Sequence, residues 1–305
     1  MDSLSSHRSA KGLTPALAFS AAGLVAAVAT GACVLVPEAP RPVAIPILEI
    51  NTTRVSLGAV IEARFSFAVL PHVALDEDLS VFVHIVNDDG ELMWTDDHDP
   101  PQPTSTWAPD TTVVYTRTMF VPRYPYLGPA AIHLGLYSRE TGMRLPLQGE
   151  DVGQRAYRVQ DIRLLPPSDS DNVVLNYDSG WHDLEVAPND ESRQWRWMQK
   201  IGSLSFRNPQ RESLLYLHIE GVKPYDEPQR LTVSVSDHVV ARFEIEPGDI
   251  LRKIPLTTAD LGSERTAELT LEVDQTFVPR TLPQLNSLDD RQLGLKVLLA
   301  VLAPR

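Results

Sequence analysis

The chain has 305 residues, of which 43% are hydrophobic and 22% charged, with a formal net charge of −13 and a pI near 5.0. This length accommodates two domains with separate hydrophobic cores. The acidic balance and the lack of a Lys/Arg run exclude nucleic acid as a partner, because binding phosphates requires a basic surface. The single cysteine, Cys33, forms no internal disulfide, and no Cys/His pairs stand at zinc spacing.

Residues 1–36 have the pattern of a signal or membrane anchor. Arg8 and Lys11 precede a stretch, residues 12–36, that contains no charged side chain. As a helix this stretch would be about 37 Å long, enough to cross a hydrocarbon core of about 30 Å. Basic residues at the amino end favour a cytoplasmic N-terminus and export of the rest. The sequence therefore predicts a membrane-anchored protein that faces the periplasm or the cell exterior.

Cys33 offers an alternative kind of anchor. The residues before it, 29–32, are small, as lipoprotein signal peptidase requires before a lipid-modified cysteine, although Thr30 stands where leucine is usual. A cleaved secretory peptide is the third interpretation. Residues 37–46 contain four prolines, and we expect a stiff, extended spacer there.

The rest of the chain has the pattern of short β-strands. Seven strand-like segments lie between residues 47 and 165, and nine lie between residues 173 and 302, one of them covering residues 194–206. A polar, proline-led break at residues 166–171 separates the two groups. We predict an all-β protein of two tandem β-sandwiches. The first, residues 47–166, is immunoglobulin-like, and the second, residues 172–305, is similar to a jelly roll or carbohydrate-binding module.

Three of the five tryptophans lie within residues 180–198. Flat apolar rings rimmed by hydrogen-bonding side chains suit a sugar ring. The candidate glycan-binding residues are Trp181, Trp195, Trp197, Arg193, Arg196 and Glu185. Strand alternation sends Trp195 and Trp197 to one face and Arg196 and Met198 to the other, so core packing of the tryptophan pair is the simpler interpretation. Both interpretations stay open.

Acidic side chains crowd the predicted hairpin of the first domain. Oxygen ligands for Ca²⁺, a possible cofactor, could come from the carboxylates of Asp88, Asp89, Asp96, Asp97 and Asp99, although their spacing is not that of an EF-hand loop. A second hypothesis makes two of these carboxylates the acid and base of a glycoside hydrolase. The third treats them as turn and capping residues, with His98 holding the proline-rich loop that follows.

Several motifs resemble a tandem module pair found at the carboxyl end of some bacterial membrane glycosyltransferases. They are residues 83–90, 96–107, 135–137 and 144–147 in the first domain, and residues 180–182, 195–197, 277–279, 290–291 and 293–294 with Glu185 in the second. The resemblance covers nearly the whole chain beyond residue 45. It implies two extracytoplasmic β-sandwiches and an envelope glycosyltransferase complex as a partner, and it assigns no site residues. One anchor segment replaces the polytopic catalytic domain, so transferase activity is not implied.

The sequence thus predicts a non-catalytic, envelope-anchored protein that assists surface glycan assembly or binds polysaccharide. It contains no Gly-x-Ser-x-Gly elbow, phosphate loop or His-Glu-x-x-His helix. Two alternatives remain: a glycan-modifying hydrolase using the hairpin carboxylates, and a structural protein that assembles with itself or docks onto a complex. A cleft with paired carboxylates, an exposed tryptophan surface or a broad apolar patch would distinguish the three.

Overall fold

A computed structural model describes residues 40–71, 73–168, 173–188, 190–222 and 227–305. The predicted anchor at residues 1–36 and the lipidation candidate Cys33 lie outside these residues, as does part of the predicted spacer. Within the described ranges, no helix is long and apolar enough to cross a membrane. The anchor and the location at the envelope therefore stay predictions.

The first sandwich consists of two sheets, as alternating apolar positions require. Its strands are β1 (Ala44–Ile50), β2 (Arg54–Ser56), β3 (Val60–Val69), β4 (Ser80–Asn87), β5 (Leu92–Thr95), β6 (Thr112–Phe120), β7 (Gly128–Tyr137), β8 (Glu150–Asp151) and β9 (Tyr157–Leu165). One sheet has the order β1-β3-β6 and the other the order β2-β9-β7-β4-β5, with β8 beside β9. Strand β3 buries every second residue, including Phe65 and Phe67, against the facing sheet.

Among its described residues, the second sandwich contains ten strands, one short α-helix and two 3-10 turns, Pro279–Thr281 and Pro283–Leu285. The strands and the helix are β10 (Leu175–Tyr177), β11 (Trp181–Ala187), β12 (Asp190–Met198), β13 (Ile201–Arg207), β14 (Ser213–Gly221), β15 (Gln229–Val235), β16 (His238–Ile245), β17 (Gly248–Leu256), α1 (Thr258–Leu261), β18 (Thr266–Val273) and β19 (Lys296–Pro304). One sheet has the order β10-β13-β18-β15-β16 and the other β11-β12-β19-β14-β17. The predicted all-β fold of two sandwiches is confirmed.

The predicted strand at residues 194–206 is two strands, which is a correction. The chain leaves β12 at Met198, turns at Gln199 and Lys200, and enters β13 in the opposite sheet. Gly180 packs closely against the first residue of β13, since a Cβ on Gly180 would stand 1.8 Å from the carbonyl oxygen of Ile201. Gln199 and Lys200 mark this turn in the sequence, and strands on both sides of it contribute to the same core, Met198 from β12 and Leu204 from β13.

The two sandwiches contact each other within one compact unit, residues 40–305. Leu214, Tyr216 and Val301 of the second sandwich form a buried apolar cluster, against which Val60 and Phe120 of the first sandwich pack. Beside this cluster, the carboxylate of Glu62 accepts hydrogen bonds from the Tyr216 hydroxyl at 2.9 Å and from Lys253 Nζ at 2.8 Å. Side chains of the two sandwiches are therefore in contact, although the break that begins at residue 166 separates the sandwiches in sequence.

Candidate functional site

The outward side of the β11-β12-β19-β14-β17 sheet carries the two tryptophans of β12. Met198 is fully buried in the core of the second sandwich, so alternation along β12 directs Trp195 and Trp197 away from that core. Both indoles are half-buried. Cross-strand pairing places Glu185 opposite Trp195 and Lys296 opposite Trp197. We call this surface the outer face; it comprises Glu185, Arg193, Trp195, Trp197, Glu220, Asp249 and Lys296.

Trp195 is held by one carboxylate and one cation. Its Nε1 donates a hydrogen bond to Glu185 Oε2 at 3.1 Å, and Lys296 Nζ lies 4.0 Å from its ring centroid, in cation–π contact. Trp197 meets the ring of Phe277 edge to face, with the centroids 5.8 Å apart. Both indoles therefore have fixed orientations, set by contacts at the sheet surface.

A charge network continues the outer face across three further strands. Arg193 Nη2 lies 2.9 Å from Glu220 Oε2 and 3.1 Å from Asp249 Oδ1, while Lys296 Nζ lies 2.7 Å from Glu220 Oε2. Burial alone would raise the pKa of Glu220, but hydrogen bonds from Lys296 and Arg193 outweigh it and lower the pKa. Hydrogen bonds from Arg193 to Asp249 and Glu220 raise the pKa of Arg193. Glu220 and Arg193 are therefore both charged at neutral pH.

Arg291 links the outer face to the loop before β19. Its guanidinium binds Asp289 through two nitrogens and reaches Glu185 Oε1 at 2.8 Å. These charge-assisted bonds fix Glu185, which in turn holds the Trp195 ring.

The predicted glycan-binding residues do not all lie on the outer face of the sheet. Trp181 packs against the core of the second sandwich, donates a hydrogen bond from Nε1 to the Ser203 carbonyl at 2.8 Å, and stacks edge to face on Tyr177. Arg196 lies over the Tyr177 ring at 5.1 Å and donates to the carbonyl oxygen of His182. Trp181 and Arg196 thus support the fold, whereas Trp195, Trp197, Arg193 and Glu185 share the outer face.

The structure adds residues that the sequence did not single out. Lys296, Glu220, Asp249 and Phe277 join the outer face from strands and a loop distant along the chain. The sequences of β14 and β19 are largely apolar and do not show which residues face outward, so strand order and register decide which of these side chains meet.

A groove lies at one end of the outer face. Strand β12 pairs with β19 over only two residue pairs, Arg196↔Val297 and Trp197↔Lys296, although β19 continues to Pro304. The groove has a volume of about 910 Å³ and lies where β12 and β19 separate, beside β10 and the first sandwich. Residues lining it include Phe120, Arg123, Val174, Tyr177, Arg193 and His218.

The acidic residues of the first sandwich are engaged in local contacts. Arg117 Nε lies 2.5 Å from Asp96 Oδ2, the backbone N–H of Val83 donates to Asp97, and Ser80 Oγ donates to Asp99. Asp88 and Asp89 occupy the turn between β4 and β5. Over the described residues, no three His, Cys, Asp or Glu side chains converge as metal ligands. The geometry supports the turn-and-capping interpretation of this cluster.

His98 is the buried member of that cluster. Its Nδ1 lies 2.9 Å from the Asp96 carbonyl oxygen, and its Nε2 lies 2.8 Å from the Tyr115 hydroxyl. A neutral ring that donates from Nδ1 and accepts at Nε2 satisfies both groups. Burial lowers the pKa of His98 from 6.5 to about 4, and the nearby charge of Arg117 also lowers it.

No protein-family model matches this chain, and no curated protein matches it. Among solved structures it is similar to SGBP-B from a complex xyloglucan utilization locus in Bacteroides uniformis, with 12% identity, 87% of this chain and 74% of that chain covered, and a TM-score of 0.34. It is similar to the Bacteroides ovatus mixed-linkage glucan utilization locus SGBP-B, with 9% identity, 82% and 50% coverage, and a TM-score of 0.23. A beta-glucuronidase from Bacteroides uniformis matches with 12% identity, 86% and 30% coverage, and a TM-score of 0.30. Values this low carry no argument about what this chain binds.

Proposed function

We propose that this protein binds a glycan without catalysing a reaction, and that the glycan lies on the outer face around Trp195 and Trp197. The observation that carries the proposal is the placement of these two indoles on the outward side of a sheet whose opposite side forms the core. Indole faces pack against the apolar C–H side of a sugar ring, and neighbouring charged groups bond its hydroxyls.

The charged side chains beside the indoles favour recognition because they are already ordered. Glu185 is held by Arg291, and Arg193 and Lys296 are held by Glu220. A ligand that adds hydrogen bonds to such fixed groups loses less conformational entropy than one that must immobilise free side chains. The surface is an open face, which buries little of a ligand, so we expect weak binding of single sugar units and stronger binding of a polymer.

The proposal includes a role at the bacterial envelope as an accessory to surface glycan assembly. Its support is the uncharged stretch at residues 12–36 behind Arg8 and Lys11, together with the resemblance to modules of membrane glycosyltransferases. The hydrolase alternative has weaker support, because Asp96, Asp97 and Asp99 each accept hydrogen bonds from the first sandwich itself.

The test compares Trp195→Ala and Trp197→Ala with Trp181→Ala, titrating each with a panel of neutral and acidic polysaccharides by tryptophan fluorescence and affinity electrophoresis. We expect the first two variants to lose at least about tenfold in affinity, with melting temperatures near that of the unsubstituted protein. Trp181→Ala is the matched control: it should lower stability and leave the affinity of the folded protein unchanged. Unaltered binding by a protein with both outer-face tryptophans replaced would refute the proposal.

A further inference from the structure

The groove between β12, β19 and the first sandwich has the size of a ligand site. Its volume of about 910 Å³ lies within the range of about 300–1,000 Å³ that is usual for small-molecule sites. Apolar side chains such as Phe120, Val174, Leu299 and Val301 line much of it, and Tyr177 contributes an aromatic ring. Arg193 belongs both to this groove and to the outer face, so the two surfaces are continuous.

The charged side chains among the described lining residues of the groove are all basic. Arg123 and Arg193 contribute guanidinium groups, whereas no Asp or Glu stands among the described lining residues. The whole chain carries 40 acidic residues against 27 basic ones, so a groove whose charged lining residues are both arginines departs from the average surface. His218 adds a ring whose pKa is lowered by burial, which leaves it a neutral hydrogen-bonding group at pH 7.

The two arginines differ in what they already bind. Arg193 is shared with Glu220 and Asp249, whereas Arg123 is exposed in the loop after β6 and forms no ion pair with any described residue. A second cavity of about 650 Å³ adjoins the groove, since Val173 and Val174 line both. No described Asp or Glu lines this second cavity either. Of the two groove arginines, Arg123 is therefore the one that an anionic ligand can pair with without competing against a carboxylate of the described residues.

We infer that this groove binds the carboxylate of an acidic sugar, with Arg123 as its main partner, while adjoining sugar units of the same chain lie on the outer face. The inference rests on the proposed glycan binding and adds the class of glycan. The planar guanidinium matches a carboxylate through two parallel hydrogen bonds, and the apolar walls suit the C–H faces of the ring. Arg123 comes from the first sandwich and Tyr177 from the second, so the bound sugar would touch both.

The test uses the full chain and oligosaccharides of polygalacturonate, alginate and hyaluronate, each beside its methyl ester, in which the same rings carry no charge. Isothermal titration gives the affinity of the unsubstituted protein, Arg123→Gln and Arg242→Gln. Arg242 is the matched control, because it is an exposed arginine on β16 in the other sheet. We expect at least one acid to bind about tenfold more tightly than its ester, and Arg123→Gln alone to abolish that preference. The preference should also weaken as salt rises.

The outcomes separate this inference from the proposed function. Esters that bind as tightly as acids, with an affinity that Trp195→Ala abolishes, would overturn the acidic-sugar inference and leave glycan binding in place. An acid preference that depends on Arg123 but survives removal of both outer-face tryptophans would uphold the groove and overturn the outer face. Binding of no member of this panel overturns the acidic-sugar inference, whereas the proposed function falls only if the neutral polysaccharides of the first test also fail to bind. Equal losses in Arg123→Gln and Arg242→Gln would show a general effect of net charge and count against the groove.

Discussion

Acid should destabilise the first sandwich through His98. The side chain is 5% exposed, and its pKa is lowered by burial from 6.5 in the unfolded chain to about 4 in the folded protein. Between those values the unfolded chain binds a proton that the folded protein does not, so stability falls as the pH falls. At about 1.4 kcal/mol per pH unit, the loss between pH 6.5 and pH 4 amounts to about 3 kcal/mol.

His98→Gln isolates this contribution. Glutamine can donate to the Asp96 carbonyl and accept from the Tyr115 hydroxyl, and it does not titrate. Urea unfolding followed by circular dichroism at pH 7.5, 6.5, 5.5 and 4.5 gives the free energy of unfolding of both proteins. The contribution of Asp96, whose own pKa is raised by burial, is present in both and largely cancels in the difference.

We expect the stability advantage of the unsubstituted protein over His98→Gln to shrink by about 2 to 3 kcal/mol between pH 7.5 and pH 4.5. A difference that stays constant over this range would show that His98 is protonated equally in the folded and unfolded states. The assignment of a neutral, doubly hydrogen-bonded imidazole would then be wrong.

Three further predictions concern the organisation of the chain. Limited proteolysis at residues 166–171 should give two fragments that co-elute in gel filtration, whereas Tyr216→Ala should let them separate, because Tyr216 lies at the contact between the sandwiches. The full chain should fractionate with bacterial membranes and a chain beginning near Ala44 should not; full-length protein in the cytosol would contradict the anchor. Adding calcium or a chelator should leave the melting temperature unchanged, because Asp96, Asp97 and Asp99 already accept hydrogen bonds from the first sandwich; a calcium-dependent rise would support metal binding by the acidic residues.

Local pattern predicts most strands of this protein, for a physical reason that particular elements illustrate. Strand β3 spans Val60–Val69, as its alternating apolar residues predict, and β16 spans His238–Ile245 after a two-residue turn at Ser236 and Asp237. In a strand with one buried face, buried and exposed residues alternate, so apolar residues recur in its sequence with a period of two. The same reasoning correctly separates Met198 from Trp195 and Trp197, since it needs only neighbours along one strand.

The partners of those tryptophans follow only from the tertiary structure. The order β11-β12-β19-β14-β17 is not the order along the chain. It places Lys296 of β19 beside β12 and brings Glu220 of β14, one strand further on, within reach of Arg193, although other strands separate β14 and β19 from β12 in sequence. The tertiary structure also places Trp181 against the core and separates β12 from β19 to form the groove. Sheet order depends on the apolar surface that both sandwiches bury as a whole. This burial comes from contacts between residues distant in sequence, so no single segment predicts it.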